Sequence, residues 1–255
     1  MARVKQFIIS NGVKFFVEAY KRNYGLKDVS DVGYNADDPC LFVGCYYPRD
    51  LEKIVHHRGP AILVWLGSDA RAREMIMRTG LKEDLRHVAI SKWVSDKLES
   101  MGVDYIDVKM PTTDIKSWRA LTPPPLGNKV YAYAPYGGVY NRHIVETVAD
   151  RSDYEFIITD HAYKHNHEEM VDIYAQCFVG LRLTWWDGNP ATVTEMGLMG
   201  RRVIWNGDMP NAIPWKDADD VVNLINDEAK LIGCKSNVAD VVWDALDHDG
   251  KWLEI

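Results

Sequence analysis

The sequence predicts an α/β protein made of two Rossmann-like parallel-sheet domains with a cleft between them. Three observations predict it. Short apolar runs alternate with helical periodicities along the chain, the rhythm breaks once at a Pro-rich stretch from Met110 to Asn128, and it then restarts. Strands that alternate with helices form parallel sheets covered on both faces. Right-handed crossovers put all strand C-termini at one edge, where ligands bind.

In the first half, Phe7-Ile8-Ile9 is a predicted strand. Asn11-Gly12 turns into a helix whose apolar positions are Val13, Phe16, Val17, Tyr20 and Tyr24, at helical spacing. Leu41-Phe42-Val43 is a second strand, followed by a helix with Pro48 in its first turn and Leu51, Ile54 and Val55 on one face. Ala61 to Trp65 is a third strand, ending at Gly67-Ser68-Asp69. His87 to Ile90 is a fourth, after which Ser91 caps a helix that Gly102 closes. Tyr105 to Val108 is a fifth.

The break holds Pro111, Pro123-Pro124-Pro125 and Gly127 and reads as a linker over residues 113–128. It separates an N-terminal domain, 1–112, from a C-terminal domain, 129–255. In the second half, strands are expected at Val130–Tyr133, Phe156–Ile158, Phe178–Leu181 and Val203–Trp205. Helices are expected around Ile144–Ala149, Met170–Cys177, Ala191–Gly200, Val221–Ile232 and Val238–Leu246.

Composition narrows the function classes. The 255 residues carry 30 Lys plus Arg against 37 Asp plus Glu, a net charge of −7. That argues against a stable nucleic-acid complex or broad contact with an anionic membrane. Cys40, Cys45, Cys177 and Cys234 form no CxxC pair and read as unpaired thiols in a reducing compartment. The N-terminus has too few apolar residues for a signal peptide or a transmembrane segment, so a cytoplasmic enzyme is expected. There is no G-x-G-x-x-G fingerprint, P-loop or G-x-S-x-G elbow, which sets aside dehydrogenases, P-loop kinases and α/β-hydrolases.

The most informative stretch runs from Thr184 to Gly200. It follows a strand, turns on Gly188 and opens a helix near Pro190. The first turn of such a helix, Asn189, Pro190, Ala191 and Thr192, frames an anion site with its free N–H groups (Pro190 has none) backed by the helix dipole. Gly188 lets the backbone approach the anion closely. Glu195, about one turn into the helix, suits a pair of sugar hydroxyls such as a ribose presents. Asp187, before the helix, suits the hydroxyls of a hexose. The plain alternative is a strand-turn-helix connection with a solvent-facing Glu195.

Asp187 and Glu195 have the spacing of the E-x7-E motif, with Asp in the place of the first Glu, and Met196-Gly197-Leu198-Met199-Gly200-Arg201-Arg202-Val203-Ile204 follows as that motif's continuation does. The segment resembles the retaining glycosyltransferase group 1 families of the GT-B fold, over about Lys129 to Gly207. A weaker likeness covers Leu41 to Pro111. The resemblance implies a glycosyltransferase of hexosyltransferase type, with the donor in the C-terminal domain and a shortened N-terminal domain on the acceptor side. It implies a UDP- or GDP-sugar as donor, a hydroxyl acceptor (glycan, small molecule or modified base), retention of configuration, and no cofactor or metal ion. It assigns the nucleotide ribose to Glu195, the donor sugar to Asp187, and the diphosphate to the intervening amides and Arg142.

The resemblance also bears on four loops. Pro135 to Arg142 follows the first strand of the second half; Gly137 and Gly138 lie in it, and Arg142 offers a guanidinium fork to phosphate. Arg142 as a solvated helix residue and Arg182 as the phosphate cation stay open. Thr159 and Asp160 are expected where the base is read. His161, Lys164, His165 and His167 nearby lack metal-ligand spacing and read as a polar loop. Gly12 belongs to the loop expected near the donor phosphates. Ser68 and Asp69 are expected on the acceptor side, where Asp69 serves either an acceptor hydroxyl or the cap of the next helix. Two other readings remain: a nucleotide-sugar epimerase or hydrolase of the same fold, and a non-catalytic binding protein on that scaffold.

Overall fold

The computed structural model describes residues 3–135, 138–159 and 165–255. Contacts divide them into two units. One holds the residues up to Lys116 together with Asp187–Asn189 and Leu246–Ile255, and the other holds Ser117–Trp186 and Pro190–Ala245.

The first unit is built on β1 (Gln6–Ile9), β2 (Lys27–Asp28), β3 (Cys40–Val43), β4 (Ala61–Trp65), β5 (Leu85–Ala89) and β6 (Tyr105–Asp107). They form a six-stranded sheet in the order β2-β1-β3-β4-β5-β6, with every pair parallel. The strands read as unbroken apolar runs because alternate side chains serve opposite faces and both faces are covered. Phe7, Leu41, Val43, Ile62, Val64 and Val88 enter one core, while Cys40, Phe42, Leu63, Trp65 and Ala89 enter the other. The chain's last segment closes the first core. Trp252 packs edge-on against Tyr24, and Val4 N–H donates to the Leu253 carbonyl.

The second unit is built on β7 (Lys129–Tyr133), β8 (Phe156–Thr159), β9 (Cys177–Leu181), β10 (Arg202–Ile204) and β11 (Ala212–Ile213). Its order is β11-β10-β9-β7-β8, again with every pair parallel. One core gathers Val130, Ala132, Val179, Leu181 and Ile204 under the helices Arg142–Asp150 and Ala218–Ala229.

Several details differ from the sequence reading. The helix expected from Asn11 is a 3-10 turn, Asn11–Phe16, broken at Val13 and continued by the helix Val17–Tyr24. A helix Arg73–Gly80 lies between β4 and β5, and a short one, Ile115–Arg119, lies in the stretch read as linker. Small additions are β2, β11 and the turn of helix Val29–Val32. Cys40, Cys45 and Cys177 are buried thiols, Cys234 is exposed, and all four are free. No helix of the described residues is long and apolar enough to cross a membrane.

Candidate functional site

In an open parallel sheet the crevice forms where the chain order reverses. In the second unit that point lies between β7 and β9, because β8 is laid down on one side of β7 and β9 on the other. The segments leaving these two strands therefore flank it: the loop before helix Arg142–Asp150, and the stretch that leads to helix Ala191–Leu198.

Side chains tie the two segments together. Arg182 is buried just beyond β9, its guanidinium 4.9 Å from the ring centre of Tyr133 and 4.8 Å from that of Tyr140. Strand alternation thus aims Arg182 inward, against two aromatic faces. Asn141 adopts a left-handed conformation (φ 46°), and its amide donates to the Leu183 carbonyl at 2.8 Å. Arg142 opens the next helix. Its guanidinium donates to the Ala134 carbonyl at 3.1 Å and to Glu146 at 2.8 Å, so it stays at the end of β7, half-exposed. Gly138 is exposed with φ 70°. Gly137 and Asp160, like His161 and Lys164, lie outside the described residues.

The helix itself spans Ala191–Leu198, with Pro190 as its N-cap rather than within its first turn. The Pro190 carbonyl accepts from Val193 and Thr194. A helix's first N–H groups lack acceptors within the helix, which places those of Ala191 and Thr192 at its opening. Met196 packs over β9 where Gly180 has no side chain; a Cβ there would collide with the Met196 sulfur.

Glu195 is half-buried and accepts a hydrogen bond at Oε2 from the Tyr174 hydroxyl at 3.0 Å. Tyr174 is fully buried on helix His167–Ala175. Burial, then the Glu195 charge, push its phenol well above the ordinary value, so it stays a donor. Tyr131 on β7 meets Tyr174 edge-on at 5.1 Å, and its own hydroxyl bonds Thr159 Oγ1 at 2.7 Å. Thr159 is buried with its hydroxyl turned to Tyr131. The sequence reading passed over Tyr131 and Tyr174 as apolar positions. The available signal was their hydroxyls, since a buried Tyr generally needs a partner that Phe would not.

The turn Asp187–Asn189 is a part of the first unit. The Ser91 hydroxyl donates to the Asp187 carbonyl, Asn189 donates to the Met110 carbonyl at 3.1 Å, and the Thr112 hydroxyl donates to the Asn189 carbonyl at 3.0 Å. Gly188 is buried, and a Cβ on it would collide with the carbonyl oxygen of Leu66. The close approach that Gly188 permits is thus to protein backbone. Asp187 is half-buried, and its Oδ1 accepts from the Gly188 N–H at 2.9 Å.

Asp69 holds the loop on which that turn rests. Only 2% exposed, it accepts from the N–H groups of Leu66, Gly67, Ala70 and Cys45. Burial raises its carboxyl from 3.8 to about 6, against the opposing pull of those four donors. Its oxygens are therefore engaged inside the protein by backbone donors. Ser68 beside it is exposed, with its hydroxyl at the Tyr46 phenol.

The reversal point of the first sheet lies between β1 and β3. There the Asp50 carboxylate accepts from Ser10 Oγ at 2.6 Å and from the amides of Tyr46 and Tyr47 at 3.1 and 3.0 Å. Gly12 is exposed beside the Tyr46 ring, with room for a Cβ in ordinary contact. His165 lies 3.4 Å from Glu169, and His167 packs edge-on against Trp118. Among the described residues no group of three or more His, Cys, Asp or Glu is placed to hold a metal ion.

No protein-family model and no curated protein matches the sequence. Solved structures do resemble the chain. TarM matches with a TM-score of 0.56 at 8% identity, covering 88% of this chain and 55% of that one. A point mutant of S. aureus TarM, in complex with fondaparinux, alpha-GlcNAc-glycerol and UDP, matches at 0.55 and 11%, with the same coverage of 88% and 55%. Sucrose-phosphate synthase from Thermosynechococcus elongatus matches at 0.51 and 13%, covering 95% of this chain and 74% of that one. The chain spans about half the length of the TarM chains it matches. Its two parallel-sheet α/β units, of six and five strands, have the two-domain Rossmann-like architecture of the GT-B fold.

Proposed function

We propose that the chain transfers a hexosyl group from a nucleotide-diphosphate sugar, UDP- or GDP-linked, to an acceptor hydroxyl, with retention of configuration. The observation that carries the reading is the start of helix Ala191–Leu198: it opens at the reversal point of the second sheet, with Glu195 half-buried one turn further on. The complex of a TarM mutant with UDP and a GlcNAc glycoside lends it support as the ligand class of a similar fold.

In this reading Glu195 accepts hydrogen bonds from the ribose diol. The amides of Ala191 and Thr192 and the Arg142 guanidinium meet the diphosphate, and Asp187 serves the donor sugar. The C1–O bond to the diphosphate breaks, and its electron pair leaves on the phosphate oxygen. The acceptor oxygen bonds to C1, and its proton passes to the departing diphosphate. The transition state is oxocarbenium-like. A single well-aimed donor to the charge that develops on the leaving group is worth roughly 10²–10³ in rate.

Thermal shift against UDP, GDP, ADP and TDP, followed by transfer assays with sugars of the binding nucleotide, tests the reading. Glu195→Ala is expected to weaken that nucleotide about 10- to 100-fold, the worth of a charge-assisted hydrogen bond, while the unliganded chain stays folded with a melting temperature lowered by the loss of Tyr174's acceptor. Unchanged affinity for all four nucleotides in the variant would remove the site assignment.

A further inference from the structure

We infer that Tyr174 is a positioning residue for Glu195, and that through it the site selects ribose over 2′-deoxyribose. The inference rests on the nucleotide-site reading above.

A glutamate side chain has three rotatable bonds, and ordering them on binding opposes affinity. A carboxylate must be held in place beforehand if it is to meet two vicinal hydroxyls in one geometry. The Tyr174 hydroxyl does this by donating to Oε2 at 3.0 Å. Tyr174 is itself immobilised. It is fully buried, with Tyr131 edge-on at 5.1 Å and Trp118 at 5.7 Å. Trp118 is in turn buried and backed by His167 at 4.4 Å. Tyr131 is fixed at its own tip by Thr159 Oγ1 at 2.7 Å. The chain Thr159–Tyr131–Tyr174–Glu195 thus runs from β8 through β7 to the candidate helix, within the second unit alone.

An ionised carboxylate offers about four acceptor positions, so one bond from Tyr174 is compatible with further bonds to a diol. A phenol donating to one oxygen sets the plane of the group. The 2′-hydroxyl is what a ribonucleotide has and a deoxyribonucleotide lacks. A site built to bond a hydroxyl discriminates against the analogue without it, because its own polar group is left unpaired.

The test uses the full chain and calorimetric titration with UDP, GDP and ADP and with dUDP, dGDP and dADP. Wild type is expected to bind the ribose form of its preferred nucleotide about 10-fold or more tightly than the deoxy form. Tyr174→Phe keeps the ring and removes only the hydroxyl. It is expected to bring the two affinities within about 3-fold of each other by weakening the ribose form, with the deoxy form little changed. A purely structural role would weaken both alike. Tyr131→Phe, which does not touch Glu195, is expected to narrow the ratio by a smaller factor and serves if Tyr174→Phe does not fold. If wild type prefers ribose and both variants keep its ratio, the positioning role is overturned while the nucleotide site stands. Equal wild-type affinity for the two forms also overturns it. If none of UDP, GDP and ADP binds wild type, the nucleotide reading itself fails, and this inference with it.

Discussion

Asp69 in the first unit and Arg201 in the second are both buried ionisable groups, and both are hydrogen-bonded by backbone rather than paired with an opposite side chain. Asp69 collects four N–H groups, from Cys45, Leu66, Gly67 and Ala70. Arg201 donates to five carbonyls, those of Cys177, Pro124, Pro125, Ala175 and Met199. They stand at opposite edges of their sheets. Asp69 follows the C-terminal end of β4, the edge where ligands bind, and shapes the loop that seats Gly188. Arg201 precedes β10 and draws the Pro-rich segment against the starts of the second unit's strands. A charge used to shape a binding edge should affect function when removed, whereas a charge used to close the base of a domain should affect only stability.

The largest expected effect sharpens this contrast. Arg201→Met removes five hydrogen bonds, two of them in fully buried surroundings at Cys177 and Met199, and buried acceptors that lose a donor are costly. A stability loss of about 4 kcal/mol is expected, comparable to breaking a buried ion pair. Urea denaturation measures it. Burial lowers the Arg201 guanidinium only to about 10, so both folded and unfolded chains hold its proton below pH 8, and the loss should be the same from pH 5 to pH 8. Nucleotide affinity of the folded fraction should be unaltered. A variant that stays folded but loses that affinity would erase the distinction between the two edges.

How much of this was legible beforehand follows from which contacts are local. The strands of the first sheet were readable because both faces are buried, which makes Ala61–Trp65 an unbroken apolar run. The helix Arg73–Gly80 was not readable, since only Ile76 and Thr79 on it are buried and its charged residues hide the period. Trp118, in the stretch taken for a linker, packs on Tyr174 through a contact that no local pattern announces. The candidate helix was legible from Gly188, Pro190 and the acid spacing, all within a few residues. Its support was not. Tyr174 lies 21 positions from Glu195, and the Leu66 carbonyl that makes Gly188 obligatory comes from the loop just after β4, far away in sequence. The return of Leu246–Ile255 to the first unit has no sequence mark either, because its apolar residues suit either core.

Gly188→Ala gives the second expectation. The added Cβ would collide with the Leu66 carbonyl oxygen, which belongs to backbone and cannot swing aside as a side-chain tip does. Overpacking of this kind costs about 1–3 kcal/mol. The turn Asp187–Asn189 is held by Ser91, Thr112 and Met110 through single hydrogen bonds, so it is the part that yields. Transfer activity is therefore expected to fall by about 10²-fold, the penalty for displacing a reacting group by about an ångström. The melting temperature should fall less than in Arg201→Met. Full activity with a lowered melting temperature would detach Asp187 from the chemistry.

The smallest effect tests Asp69 through pH. Its carboxyl is raised from 3.8 to about 6, chiefly by burial. Between those values the folded chain keeps a proton that the unfolded chain has lost. Stability from this group is thus full below about pH 4, declines as pH rises through 6, and is flat above. The rise is worth about 3 kcal/mol at most. Asp69→Asn cannot titrate, and its amide places N–H where Cys45 and Leu66 donate. The stability difference between wild type and Asp69→Asn should therefore narrow from pH 4 to pH 6 and hold steady to pH 8. His87, whose imidazole burial lowers to about 4, titrates in both proteins and cancels in that difference. Tyr20, Tyr46 and Cys45 around Asp69 all have their ionisation pushed upward by burial and stay neutral across the window. A difference that widened towards neutral pH would mean that the four N–H groups outweigh burial and keep Asp69 ionised. Asp69 would then resemble Arg201 as a permanent charge, and its effect on the seat of Gly188 would no longer depend on protonation.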